Sequence, residues 1–170
     1  MIILGIDPGT ARIGYSIIKK SNGEAELITC DCLELKNLSQ AERLKKISEL
    51  ISELIFKYNP KTLAIEKLFF TKNVKTAMAV SEARGVIINS ANSLNLGILE
   101  FTPLEVKTAV TGYGKAEKYQ VQKMVQNILK LPKMPKSDDA ADAIAIGLAA
   151  CYTNPKLSTK GLFASGGKTQ

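Results

Sequence analysis

A chain of 170 residues, 45% of them hydrophobic, is long enough to bury one sizeable core, and none of its apolar runs approaches the ~18 residues a membrane-spanning helix needs. Lys and Arg number 23 against 16 Asp and Glu, a formal charge of +7, and histidine is absent. That absence excludes Ser-His and Cys-His nucleophilic pairs, histidine general bases and histidine metal ligands together, so any hydrolysis here rests on carboxylates, lysines or a metal ion.

In chain order, "MIILGID" has no basic residue ahead of its apolar ones, which predicts a buried strand over 2–7 rather than a secretory signal, and a cytoplasmic protein. Pro8-Gly9 suits the centre of a tight turn in which Gly takes positive φ. "RIGYSIIKK" then reads as a second strand, Asn22-Gly23 as a hairpin turn and "AELITCDCLEL" as a third strand, an antiparallel meander. Ser39 and Glu42 have capping-box spacing. Beyond them Leu44, Ile47, Ile51, Leu54, Ile55 and Tyr58 recur at helical intervals, predicting an amphipathic helix over 40–58 that Asn59-Pro60 ends.

"TLAIE", 62–66, is a short apolar strand that closes on Glu66. A helix rich in Ala and Val is expected over 74–92, a fifth strand over 96–101, and helices over 103–110 and 117–130. "DDAADAIAIGLAACY", 138–152, is apolar on nearly every side and predicts a buried helix. From Asn154 the pattern dissolves into Gly, Ser and Lys, so one domain over 1–153 and a flexible tail over 154–170 are expected. The order of elements predicts an α/β fold with a mixed five-stranded sheet and helices on both faces. Cys30, Cys32 and Cys151, without histidine, cannot complete a four-ligand zinc site and read as reduced, buried residues.

Two acids, Asp7 and Glu66, each end an apolar strand, where an uncompensated charge is costly. If those strands are neighbours, both acids lie at the carboxyl edge of the sheet, where open α/β sheets bind ligands. The last helix adds Asp138, Asp139 and Asp142, of which 139 and 142 share a helix face. Singly each has a plain reading: a turn before Pro-Gly for Asp7, a surface strand end for Glu66, helix-dipole acids for Asp138 and Asp139. Asp142 resists one, because it lies a full turn inside an apolar helix. Clustered carboxylates repel, and divalent cations relieve that repulsion; oxygen-only ligands select Mg²⁺ or Mn²⁺. Two such ions about 4 Å apart can activate a water and stabilise the leaving oxygen of a phosphodiester.

Charge is also unevenly spread. Residues 101–136 carry Lys107, Lys115, Lys118, Lys123, Lys130, Lys133 and Lys136 against Glu105 and Glu117 alone. This local field suits a polyanion such as nucleic acid, with a solvated helix face as the alternative.

"ILGIDPGTARIGYSII", "AIEKLFFTKN", "ARGV", "EVKTAVTGYGKAEKYQVQKMV" and "DDAADAIAIG" together resemble the RuvC Holliday-junction resolvases of bacteria, in that family's order and spacing, across residues 1 to about 152. The resemblance implies a ribonuclease-H-like fold and a homodimer that nicks two symmetry-related strands of a four-way DNA junction in recombination and repair. It implies Asp7, Glu66, Asp139 and Asp142 as catalytic groups and ligands of Mg²⁺, two ions per site, with Mn²⁺ able to substitute. It favours Asp139 over Asp138 as ligand and leaves an auxiliary role for Asp138 open. Lys107 and Lys118 match the family's functional lysines, on the scissile phosphate, and Phe69 an aromatic that contacts bases near the crossover. A branch-migration helicase is the implied partner. Gly112-Tyr113-Gly114 is expected to be a mobile loop and not a phosphate-cradling one, because the trailing Gly-Lys-Ser/Thr is missing. The small-residue segment "TAMAVSEARGVIINSA" is a candidate dimer contact.

Three rivals stand beside this reading. An actin-like or sugar-kinase ATPase shares the "IDPGT" turn but requires two similar domains, which this length does not hold. Another nuclease of the same fold, acting on RNA–DNA hybrid or structured RNA, would share the acids; Lys107, Lys118 and Phe69 favour the resolvase. A catalytically dead DNA-binding module is opposed by the complete acid set.

Overall fold

The computed structural model describes residues 1–67 and 74–153. Its elements run β1 (Ile2–Pro8), β2 (Arg12–Ser21), β3 (Glu24–Glu34), α1 (Gln40–Tyr58), β4 (Thr62–Glu66), α2 (Val74–Ser93), β5 (Gly97–Phe101), α3 (Pro103–Thr111), α4 (Lys118–Ile128) and α5 (Asp138–Tyr152). The strands lie in the order β3-β2-β1-β4-β5. The first three form the expected antiparallel meander, while β1, β4 and β5 run parallel. The sheet is therefore mixed, as the sequence predicts.

Alternation along the strands divides the core in two. Leu4, Ile6, Ile13, Ile17, Leu63 and Ile65 point to the face covered by α1 and α2. Ile3, Ile18, Ala64 and Phe101 point to the opposite face, under α3, α4 and α5. The capping box of Ser39 and Glu42 starts α1 as predicted, and Asn22 and Gly23 both take positive φ, 50° and 85°, as a tight hairpin demands. All three cysteines are free; Cys151 is buried, while Cys30 and Cys32 are half-buried. Among the described residues no helix is long and apolar enough to cross a membrane. The expected tail over 154–170 lies outside the described residues.

The expected Pro8-Gly9 turn is corrected. β1 continues through Pro8, which pairs with Ile13, and residues 9–11 make the connection. Gly9 is not among the positive-φ glycines. Space explains it: a Cβ there would overlap the carbonyl oxygen of Arg12.

α5 approaches the sheet closely. A Cβ on Gly5 would overlap the carbonyl oxygen of Ala143, and one on Gly14 the carbonyl group of Asp139. Gly147 of α5 sits against the Ile18 and Ser16 side chains. Between these contacts the fully buried Ser16 hydroxyl donates to the carbonyl oxygen of Ala143 at 2.8 Å. Helix backbone thus rests directly on strand backbone. Gly14→Ala is expected to push the start of α5 off β2 and to destabilise the protein by about 1–3 kcal/mol, as overpacking does; urea denaturation measures the loss, and an unchanged midpoint would show that the helix shifts freely.

Candidate active site

Parity carries Asp7 and Glu66 to the same side. Asp7 follows Ile3 and Gly5 onto the α5 face of β1, and Glu66 follows Ala64 onto that face of β4. The parallel ladder pairs Ile6 with Ile65, so one further step sets the two acids side by side at the carboxyl end of the strands. On its other flank Asp7 pairs with Gly14, the residue on which the Asp139 backbone rests. The seat of α5 therefore brings Asp139, and one turn later Asp142, over Asp7.

The four acids share one electrostatic field. Burial, then the negative charges of Glu66, Asp142 and Asp139, push the Asp7 carboxyl up to about 7, against the pull of Lys118. Burial and Asp142 raise Glu66. Asp142 is raised chiefly by burial, although Lys118 opposes the shift. For Lys118, desolvation works against the charged form, but the carboxylates of Asp142 and Asp138 prevail and hold its pKa above the ordinary lysine value.

Two side-chain cations reach into this field. Lys118, at the start of α4, places Nζ 3.0 Å from Oδ2 of Asp142 and 3.4 Å from Oδ2 of Asp138. Arg12, at the start of β2, places Nε 3.1 Å from Oδ2 of Asp139. The Ser137 hydroxyl and the Cys32 thiol approach that same oxygen, at 3.4 and 3.9 Å. Asp138 turns outward, toward Lys118 and Gln122. Among the described residues no three acids or thiols stand close enough to form a ready-made metal cage.

Of the remaining expected residues, Lys107 lies half-buried on α3 and forms no ion pair with a described residue. Phe69 lies outside the described residues. The Gly112–Gly114 loop folds back on α3: Gly112 caps the helix with φ 76°, and a Cβ on Gly114 would press on Leu104 and Thr108. Sequence reasoning assigned no role to Arg12, Cys32 or Ser137, nor to Arg84, whose Nε donates to the Glu66 carbonyl oxygen at 2.9 Å. Both arginines stand in segments singled out above, "GTARIGYS" and "ARGV"; what identifies them is contact, which spacing does not encode.

The raised carboxyl of Asp7 has a sign that can be tested. Its folded value of about 7 exceeds the ordinary 3.8, so the folded chain holds this proton more tightly than the unfolded one. Without divalent ions, stability should be unaffected below pH 4, fall between pH 4 and 7, and stay reduced above. Asp7→Asn should remove that penalty, raising stability at pH 8 in EDTA by about 1–3 kcal/mol after allowance for partial exposure, with no gain near pH 4. Thermal melts across that range read the difference; a gain that does not vary with pH would separate Asp7 from the acid cluster.

Against known proteins, residues 3–150 match the family model for crossover junction endodeoxyribonuclease RuvC. The crossover junction endodeoxyribonuclease RuvC of Natranaerobius thermophilus is 50% identical over 149 residues, 87% of this chain and 92% of its own. That of Halothermothrix orenii is 47% identical over 165 residues, 95% of this chain and 100% of its own. Thermus thermophilus RuvC in complex with Holliday junction substrate aligns with a TM-score of 0.84 and 29% identity, over 89% of this chain and 93% of its own. A yeast mitochondrial Holliday junction resolvase, at 14% identity and a TM-score of 0.66 over 88% of this chain and 77% of its own, shares the fold. The fold is thus the ribonuclease-H-like one, and the chain belongs to the crossover junction endodeoxyribonuclease RuvC family.

Proposed function

We propose that this protein is a divalent-metal-dependent endodeoxyribonuclease that resolves four-way DNA junctions by paired symmetric nicks, in the cytoplasm, during recombination and repair. The observation that carries the proposal is the convergence of Asp7, Glu66, Asp139 and Asp142 from β1, β4 and α5 at one end of the sheet, in one electrostatic field that Lys118 enters.

The donor set fits hard divalent cations. All four groups are carboxylates, and burial first, then neighbouring negative charge, disfavours the ionised forms of Asp7, Glu66 and Asp142, a penalty such an ion would offset. Mg²⁺ is the natural occupant, two ions per site, with Mn²⁺ able to replace it. When bound, such ions polarise the scissile phosphate and make an attacking water acidic. Asp7 and Glu66, half-buried on rigid strands, supply the fixed side of the site; Asp139 and Asp142 close it from α5. Lys118 donates to Asp142 and lies within ion-pair distance of Asp138. An arriving phosphate competes for the same ammonium, which is then placed to stabilise the charge that develops on the phosphoryl oxygens. Lys107 and the other lysines of 101–136 attract the backbone, and Phe69 is assigned to the bases at the crossover.

A homodimer suits a substrate with two-fold symmetry. Gly85 supports one: it lies exposed on α2, with nothing within 4 Å of where a Cβ would stand. A mid-helix Gly costs roughly 0.5–1 kcal/mol relative to Ala, and close packing of α2 against a second copy would offset that. A branch-migration helicase is the proposed partner.

Purified protein incubated with labelled four-way junction, matched duplex and RNA–DNA hybrid, with and without Mg²⁺, should give paired nicks on the junction alone and only with the ion. Cutting confined to the hybrid would transfer the protein to the rival nuclease class. Asp7→Asn should abolish cleavage while gel-shift binding of the junction stays near wild type; full activity in that variant refutes the ligand assignment. Lys118→Ala should lower the single-turnover rate by roughly 10²-fold or more, the scale of a removed charge-stabilising donor, with a much smaller change in junction affinity. An unchanged rate removes Lys118 from the site.

A further inference from the structure

The end of β4 is held from two directions. Beyond Glu66 the Lys67 amide donates to the carbonyl oxygen of Phe101 at 2.7 Å, which ties the chain to β5. The Glu66 carbonyl oxygen accepts from Nε of Arg84 at 2.9 Å, and the same guanidinium pairs through Nη2 with the carboxylate of Glu100 on β5. Arg84 comes from α2, and its side chain is only 17% exposed. One half-buried, charged side chain thus joins α2, β5 and the last peptide group of β4.

We infer that Arg84 is the positioning residue for Glu66, fixing the peptide plane from which that carboxylate projects into the acid cluster; this rests on the nuclease reading above. A structural brace between α2 and the sheet needs only the ion pair with Glu100. The bond to the Glu66 carbonyl oxygen serves a different end. Asp142 repels Glu66, Glu66 repels Asp7, and burial disfavours both charges, so the strand end is driven to rotate Glu66 outward. A carbonyl engaged by a guanidinium resists that rotation, because charge-assisted hydrogen bonds are short, strong and directional. Productive geometry tolerates about 0.5 Å of error, and Glu66 is the last residue of its strand, where the Lys67–Phe101 bond holds the N–H side of its peptide group and Arg84 the carbonyl side.

The test uses the full chain with Arg84→Gln, Arg84→Lys and Glu100→Gln. Mn²⁺ binding to the DNA-free protein is read by electron paramagnetic resonance, alongside single-turnover junction cleavage, junction affinity and thermal melting. Arg84→Gln should weaken Mn²⁺ binding and slow cleavage by roughly 10–100-fold, the range for lost orienting partners of metal ligands, with junction affinity within about 2-fold of wild type. Arg84→Lys, whose ammonium reaches one partner at a time, should recover part of both. Glu100→Gln keeps the carbonyl bond and should lose less than Arg84→Gln. Wild-type Mn²⁺ affinity and rate in a folded Arg84→Gln overturn the inference, as does a loss that vanishes at temperatures where the variant is fully folded. If Arg84→Gln does not fold, wild-type Mn²⁺ affinity in both other variants overturns it. Wild-type protein that binds Mn²⁺ but leaves junctions uncut instead defeats the nuclease reading, and the Mn²⁺ measurements still decide the clamp.

Discussion

The molecule depends on the seat of α5 on the sheet, where backbone meets backbone at glycines. α5 lies on β1 and β2 at a distance only glycine permits, with Gly5 and Gly14 below and Gly147 above. Gly14 matters most, because it pairs with Asp7 in the sheet and supports the Asp139 backbone from beneath. Two acids more than 130 residues apart in sequence are thereby fixed through one strand residue between them. The apolar length of α5, buried from Ala143 through Cys151, supplies the burial that keeps the helix there. Its first turn carries the acids Asp138 and Asp139.

That arrangement holds like charges together against their repulsion. Burial penalises the charged forms of Asp7, Glu66 and Asp142, and their neighbours add to the penalty. Sites that store such unfavourable energy persist only where the surrounding fold over-determines them. Here the determinants are a five-stranded sheet, a helix seated on its backbone, and two cations. Arg12 binds Asp139 through Oδ2 alone, the oxygen that Ser137 and Cys32 also approach, while Lys118 divides itself between Asp142 and Asp138. Asp139 and Asp142 thus each face a side-chain cation as well as the other acids.

Much of this was legible in the sequence because it obeys periodicity. Short apolar runs placed Asp7 and Glu66 at strand ends, the helical period placed Asp139 and Asp142 on one face, and Asn22-Gly23 marked the second hairpin of the meander. The bounds of α1, β4 and α5 agree with those read from pattern, because caps and strand ends are local signals. The misreadings arise where contact, not pattern, decides. Pro8-Gly9 has turn composition, yet β1 runs on through Pro8 because its partner Ile13 is there to pair with, and Gly9 answers to a crowded carbonyl. In the Gly112–Gly114 loop the two glycines serve different ends, Gly112 the left-handed cap of α3 and Gly114 a close fit against Leu104 and Thr108. Arg12 and Arg84 could not be assigned, since each acts on a residue distant in sequence through a bond no spacing predicts.

A basic protein of this family carries clustered acids in the site proposed to cut a polyanion, two demands of opposite sign. Range reconciles them. At physiological salt the field of an exposed charge decays over about 8 Å, so an approaching duplex responds first to the many separated lysines of 101–136 and only later to the recessed acids. At short range the acids are not bare. Lys118 and Arg12 already offset part of their charge, and a divalent ion would offset more. Lysine suits the first of those places better than arginine would, because a compact ammonium on a flexible stem can leave a carboxylate for a phosphate without breaking a bidentate fork. Attraction at a distance and anionic chemistry at contact are thus compatible on one surface, provided the cations nearest the acids can change partners, and Lys118, shared between two carboxylates, has the geometry to do so.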